Sequence, residues 1–197
     1  YKKTAAHVGG LADYVVINVS SPNTAGLRDL QSTDSITTLV RAVREALPNH
    51  TIPVLVKIAP DLDTEGLDAV IQGCLDAQVD GMVVSNTTIT RPQTLRSLHA
   101  HEMGGLSGAP LFGLSTEMLH RVYLRTNGLV PLIGVGGISN GHDAYAKIRA
   151  GASLVQLYTA LIYQGPGLLH RINRELIAHL LEDGFTSITQ AVGADHR

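Results

Sequence analysis

Tryptophan is missing from the 197 residues, cysteine occurs once, and only 4 per cent of positions are aromatic. The single cysteine, Cys74, excludes an internal disulfide and any multi-cysteine metal centre. Without tryptophan, and with few other aromatics, the chain lacks the stacking platforms that hold single-stranded nucleic acid. It also lacks a long basic run, and its formal net charge is −2, so no electrostatic footprint for nucleic acid is present. No apolar run reaches membrane-spanning length, and no signal-like segment opens the sequence. The nine histidines are scattered, without the His-Glu-x-x-His spacing of a metal centre. Only His99 and His101 sit close together, in what reads as a solvated loop.

What is present is a core-heavy composition. Apolar residues make up 44 per cent and charged residues 16 per cent, with a mean hydropathy of +0.13. That suits one folded domain and not a disordered chain. The apolar stretches recur in a fixed rhythm. Residues 14–19 form a β-branched run that breaks into Ser20, Ser21, Pro22, Asn23 and Thr24, and the proline forces a turn. Ile36, Leu39, Val40, Val43 and Leu47 follow at helical spacing, stopped by Pro48 and Asn49. Residues 54–58 read as a second strand. The next helix puts Leu67, Val70, Ile71, Cys74 and Leu75 on one face, with Asp63 or Thr64 as N-cap. Cys74 therefore reads as core. A third strand over 81–85 runs into Asn86 and Thr87, and a connection from Ile89 to about Gly113 has the length of a lid or binding loop. A helix over 115–126, a strand and glycine turn over 131–138, and a short helix after Asn140 come next. A strand over 154–157 then ends in Tyr158 and Thr159, before a helix over 167–183. Residues 1–12 read as a helix tail with its connection, and the stretch after Gly184 as irregular.

Five alternations of strand and helix, with strands apolar on both faces, predict parallel strands joined by helical crossovers. A doubly wound sheet and a (β/α)8 barrel both satisfy that rhythm. The polar groups favour the barrel, because each strand's C-terminal end carries a different one and in a barrel those ends converge on one mouth. They are Asn18 and Ser21, Lys57, Ser85 to Thr87, Gly136 with Gly137, and Tyr158 with Thr159. Five units do not close a barrel, so three more strands are expected upstream of Tyr1. Lys57 shares a strand face with Leu55. An inward orientation is favoured over a lysine snorkelling from the outer face, and an inward ammonium would balance negative charge on a ligand. Gly136 and Gly137, followed by Asn140 opening a helix, offer backbone N–H groups to an anion. With the Tyr158–Thr159 turn they sit where barrels commonly bind phosphate. Asn18, Asn23, Asn86 and Thr87 can read the carbonyls, amides and carboxylates of a planar polar substrate. Ser21 has no Ser-His-Asp constellation. It reads as a proton acceptor or an orienting hydroxyl, not as an acyl-transfer nucleophile.

Several motifs, in order, carry a resemblance that runs through nearly the whole chain. They are residues 18–28 (NVSSPNTAGLR), 56–62 (VKIAPDL), 85–88 (SNTT), 104–108 (GGLSG), 133–137 (IGVGG), 151–159 (GASLVQLYT) and 193–197 (GADHR). This set resembles the dihydroorotate dehydrogenase family, and Ser21, where class 1 members carry cysteine, resembles class 2. The resemblance implies an FMN-containing (β/α)8 barrel that oxidises dihydroorotate to orotate in pyrimidine synthesis and reduces a quinone. It implies membrane association through an N-terminal region that this chain does not contain. The mitochondrial inner membrane is the favoured location and the bacterial cytoplasmic membrane the alternative. By matching motif, Asn18, Lys57, Ser85, Gly108, Gly137, Tyr158 and Thr159 would hold FMN. Asn18, Asn23, Asn86 and Thr87 would hold substrate, with Ser21 as catalytic base and Lys57 beside the flavin's pyrimidine edge. Residues 1–197 would then be the C-terminal part of a single FMN-binding barrel domain. The earlier strands would either form a separate segment or leave this polypeptide inactive by their absence. Two other readings stand beside this one: a different phosphate-cofactor barrel oxidoreductase, and a half-barrel that only binds or scaffolds.

Overall fold

Short apolar strands, each flanked by a helix with one apolar face, set the architecture. The computed structural model describes residues 1–24 and 26–197. Ala25, inside the motif that follows the first strand, lies outside the described residues. In chain order the elements are α1 (Lys2–Val8), β1 (Val15–Asn18), α2 (Thr33–Ala46), β2 (Val54–Ile58), α3 (Thr64–Asp76), β3 (Gly81–Val84) and α4 (Phe112–Thr126). They continue with β4 (Leu132–Val135), α5 (Gly141–Arg149), β5 (Leu154–Gln156), α6 (Thr159–Gln164), α7 (Gly167–Glu182) and α8 (Ile188–Ala191). The five strands are parallel and lie side by side as β1-β2-β3-β4-β5. Spatial order and chain order coincide. A doubly wound sheet must reverse its strand order at a switch point, and no reversal occurs. These are consecutive βα units of the (β/α)8 barrel type.

Alternation along the strands sorts their side chains onto two faces. Ile17, Val54, Val56, Ile58, Met82, Val84 and Leu132 pack against the helices, meeting Val40 of α2, Val70 of α3 and Leu119 of α4. Leu55, Val83 and Ile133 form a separate cluster with Val16 and Val135 on the other face. Lys57 alternates with Val56 and Ile58 and so shares this second face with Leu55, away from the helices. Asn18 joins Val16 there by the same rule. Burying each large aliphatic side chain on the helix-facing side contributes roughly 1.5–3 kcal/mol. Cys74 belongs to that side, and burial pushes its thiol up to about 12. It is core.

The helix starts follow from capping. Ser32 accepts from Ser35 N, Asp63 from Gly66 N at 2.8 Å, and Asn140 from Asp143 N at 2.8 Å, each satisfying an orphan donor of the first turn. Asp63, not Thr64, is the α3 cap. Beyond shifts of a residue at strand and helix ends, three boundaries differ from the sequence reading. α4 begins at Phe112 because the 3-10 turn Ala109–Leu111, with Pro110 inside it, runs straight into the helix. The long connection therefore ends at Gly108, and a Thr88–Leu106 antiparallel bridge closes it on itself. Thr159 starts the short helix α6 where a turn is expected. The C-terminal stretch is ordered as α8 and the 3-10 turn Ala194–His196, anchored by buried Ala191 and by Gly193 N donating to Ile148 O at 3.1 Å. Among the described residues no helix is long and apolar enough to cross a membrane.

Candidate active site

The C-terminal ends of β2, β3, β4 and β5 wall one cavity of about 770 Å³, a size typical of small-molecule sites. Lys57 enters it from β2, level with Asn18 on β1 and Val83 on β3. Burial lowers its pKa, and among the described residues no acidic neighbour pulls it back. An ammonium held half-buried without a carboxylate is costly unless a ligand supplies the negative charge. Ser85, Asn86 and Thr87 form the adjoining wall. Their polar groups are locked in place. Asn86 Nδ2 donates to Asn18 Oδ1 at 3.2 Å and to Ser20 Oγ at 3.1 Å, while Asn86 Oδ1 accepts from Thr87 N at 2.8 Å. Asn18 Oδ1 accepts further bonds from the backbone and hydroxyl of Ser20 at 3.2 and 3.0 Å. Asn18 is thus tied to the cavity wall through Asn86 without itself lining it.

The facing wall is made by three chain segments: the end of the long loop at Ser107 and Gly108, the turn after β4, and the start of α6. Gly136 and Gly137 have φ of +120° and +78°, and a Cβ on Gly137 would sit 2.7 Å from Phe112 N. The turn lies directly on the first residue of α4, which only glycine allows. Thr159 Oγ1 donates to Ser107 Oγ at 3.0 Å and joins the loop to α6, and Tyr158, largely exposed, completes the rim. The start of α5, by contrast, is already occupied. Ser139 N and Oγ donate to Asp143 Oδ2 at 2.9 and 2.7 Å, and Gly141 N donates to Glu175 Oε2 at 2.5 Å. The expectation that the helix opened by Asn140 offers N–H groups to an anion is corrected: Glu175 of α7 takes Gly141 N, Asn140 Oδ1 takes Asp143 N, and Asp143 takes Ser139 N just before the helix. The glycine turn and the two hydroxyls remain.

Lys57, Ser85, Asn86, Thr87, Gly108 and Gly137 therefore meet in one cavity, with Tyr158 and Thr159 at its rim. Ser21 and Asn23 do not line it. Ser21 Oγ accepts from Asn23 N at 3.3 Å within the turn after β1. Asn23 is exposed and borders a second, more open depression with Pro22, Arg91 and Gly104. Nothing among the described residues activates Ser21 as a base.

A family model described as dihydroorotate dehydrogenase matches residues 1–180. The chain belongs to that family. A relative from Azorhizobium caulinodans named dihydroorotate dehydrogenase (quinone) is 56% identical over 193 residues, covering 95% of this chain and 54% of the relative. One from Arabidopsis thaliana, named as the mitochondrial quinone enzyme, is 50% identical over 204 residues, covering 100% and 44%. The ligand-free crystal structure of the Eimeria tenella dihydroorotate dehydrogenase superposes with a TM-score of 0.95 at 41% identity, covering 100% of this chain and 59% of that one. The chain spans about half the length of the curated relatives it matches.

Two residues of this dihydroorotate dehydrogenase family chain are missing from the sequence-derived set. Arg28 donates from Nε to Ser20 O at 3.2 Å, from one terminal nitrogen to Asp61 Oδ2 at 2.9 Å, and from the other to Thr87 O at 3.2 Å. Asp61 also accepts from the Thr88 hydroxyl, Ile89 N and the Thr90 hydroxyl. One largely buried ion pair thus fixes the turns after β1, β2 and β3 relative to one another. In the sequence both charges stand in polar turns just after apolar strands, inside the motifs over 18–28 and 56–62.

Proposed function

We propose that the protein carrying this chain is a quinone-dependent dihydroorotate dehydrogenase that uses FMN to oxidise dihydroorotate to orotate in pyrimidine biosynthesis. The observation that carries the reading is the pairing within one cavity of an uncompensated ammonium, Lys57, with a glycine turn and paired hydroxyls on the opposite wall. That donor set fits a ligand with a polar heterocycle at one end and a phosphate at the other, as FMN has. Family membership and the names of the relatives support the same assignment. Lys57 and the Ser85–Thr87 segment would hold the heterocycle, and Gly108, Gly136, Gly137 and Thr159 the phosphate. Asn86 and Thr87, with Asn18 and Asn23, would orient the substrate's amides and carboxylate.

Forming the new C=C bond removes a proton from one ring carbon and a hydride from its neighbour. When bound, FMN would supply the hydride-accepting and electron-transfer chemistry that side chains lack. Ser21 would accept the ring proton while passing its own hydroxyl proton on to solvent, a relay for which the described residues supply no partner, and Lys57 would stabilise negative charge at the heterocycle's edge. Further barrel strands complete the site, and membrane association gives access to quinone, at the mitochondrial inner membrane or the bacterial cytoplasmic membrane. Anaerobic stopped-flow mixing tests the reading. Dihydroorotate should bleach the protein's flavin band, NADH should not, and a quinone should restore it. Bleaching by NADH alone would assign a different flavin oxidoreductase.

A further inference from the structure

Lys147, on α5, is completely buried, and it lies behind the glycine turn instead of in the cavity. Its Nζ donates to Ser115 Oγ at 2.5 Å and to Phe112 O at 3.4 Å, and stands 4.9 Å from the Phe112 ring centroid. Ser115 Oγ lies in turn 3.0 Å from Gly136 O, and a Cβ on Gly136 would come within 2.7 Å of that hydroxyl. Lysine donates and never accepts, so Ser115 accepts from Lys147 and directs its own proton to a carbonyl. The line Lys147–Ser115–Gly136 therefore reaches the proposed phosphate turn from its protein side.

A buried lysine with no carboxylate bonded to it is rare in a helix that merely packs. The charged or titratable groups near it are few. Asp143 stands one turn earlier on α5; His120 of α4 feels the lysine's charge, and around His120 lie Glu117 of α4 and His196 and Asp195 of the C-terminal turn. β4 brings none. Burial pulls Lys147 down to about 7, against a smaller upward pull from Asp143. We propose that Lys147 is a positioning residue that holds the Gly136–Gly137 turn through Ser115 and sets a compensating positive charge behind a bound phosphate monoester. The inference rests on the phosphate assignment made above.

The sign of the pH effect follows. A dianion favours the charged lysine, so binding raises the pKa of Lys147 and takes up a proton where the empty site has lost one. Phosphate affinity should fall as pH rises from about 7 to 9, a range in which the phosphate itself stays dianionic. Lys57 adds to the same slope, so the comparison is between wild type and Lys147→Met. Fluorescence titration of the full-length apoprotein that carries this chain with FMN and with riboflavin, which lacks the phosphate, reads both effects. Wild type should prefer FMN. Lys147→Met should lose about tenfold in FMN affinity, the low end for a charge-assisted interaction, keep its riboflavin affinity, and show a flatter pH profile. A variant with unchanged FMN preference and slope overturns the inference while leaving the phosphate assignment standing. Wild type that binds both flavins equally overturns the assignment and the inference together. If Lys147→Met no longer binds riboflavin, Ser115→Ala decides. Reduced FMN preference at unchanged riboflavin affinity supports the relay, and unchanged preference overturns it.

Discussion

Ser21 and Lys57 can be tested cleanly because neither holds up much of the fold. The Ser21 hydroxyl accepts one turn bond, from Asn23 N, so Ser21→Ala should cost little stability. A lost general base costs about 10²–10⁴-fold in rate. Flavin reduction by dihydroorotate should slow by that factor, while orotate binding and reoxidation by quinone stay near wild type. Ser21→Cys should recover part of the rate and gain with pH as the thiolate forms. A wild-type reduction rate in Ser21→Ala would make the hydroxyl a turn residue only. Lys57→Ala should split binding from stability. Removing an uncompensated, half-buried cation relieves a desolvation cost, so the apoprotein should melt no lower than wild type. Losing a charge-assisted contact should weaken FMN by on the order of 2–3 kcal/mol. Calorimetry and flavin titration measure the two arms, and a lowered melting point with unchanged FMN affinity would make Lys57 structural.

Elements came through the sequence well wherever a local rule set them. The apolar run of β2 has the expected bounds, and Asp63 and Asn140 cap their helices through bonds to residues three positions on. What stayed hidden is non-local. Arg28 finds its acceptors 8, 33 and 59 positions away, Lys147 reaches Ser115 across 32, and His120 meets His196 across 76. Spacing along one helix or strand carries no trace of such pairs. The anion role given to the start of α5 failed for the same reason, since Glu175, 34 positions on, occupies one of its N–H groups. The Arg28–Asp61 pair gives this scale its own prediction. Arg28→Ala leaves Asp61 largely buried without its cation, which should cost about 3 kcal/mol, the low end for a broken buried pair. Arg28→Lys keeps the charge but loses the planar fork that reaches Ser20 O and Thr87 O, and should fall between. Urea midpoints and flavin-reduction rates should drop together in the order wild type, Lys, Ala. An unchanged midpoint in Arg28→Ala would show that the three turns hold without the pair.

At the scale of the whole molecule, sequential parallel order makes this sheet part of a barrel and leaves two edges. Among the described residues β1 pairs only with β2, and β5 only with β4. Apolar side chains are bare at both: Tyr14 is 47% and Leu154 62% exposed. Unpaired backbone groups beside exposed apolar residues are templates for association. In a closed barrel both edges would be paired, and we propose that further strands pair them here. Residues 1–197 expressed alone should therefore self-associate, with sedimentation velocity showing species that grow with concentration and hold little flavin. Lysine at an edge opposes strand-to-strand docking, so Tyr14→Lys with Leu154→Lys should shift the distribution toward monomer without restoring flavin. Supplying the missing strands, fused or co-expressed, should do both. A wild-type 1–197 chain that sediments as a monomer, melts cooperatively and carries stoichiometric FMN would show that the open edges need no partner.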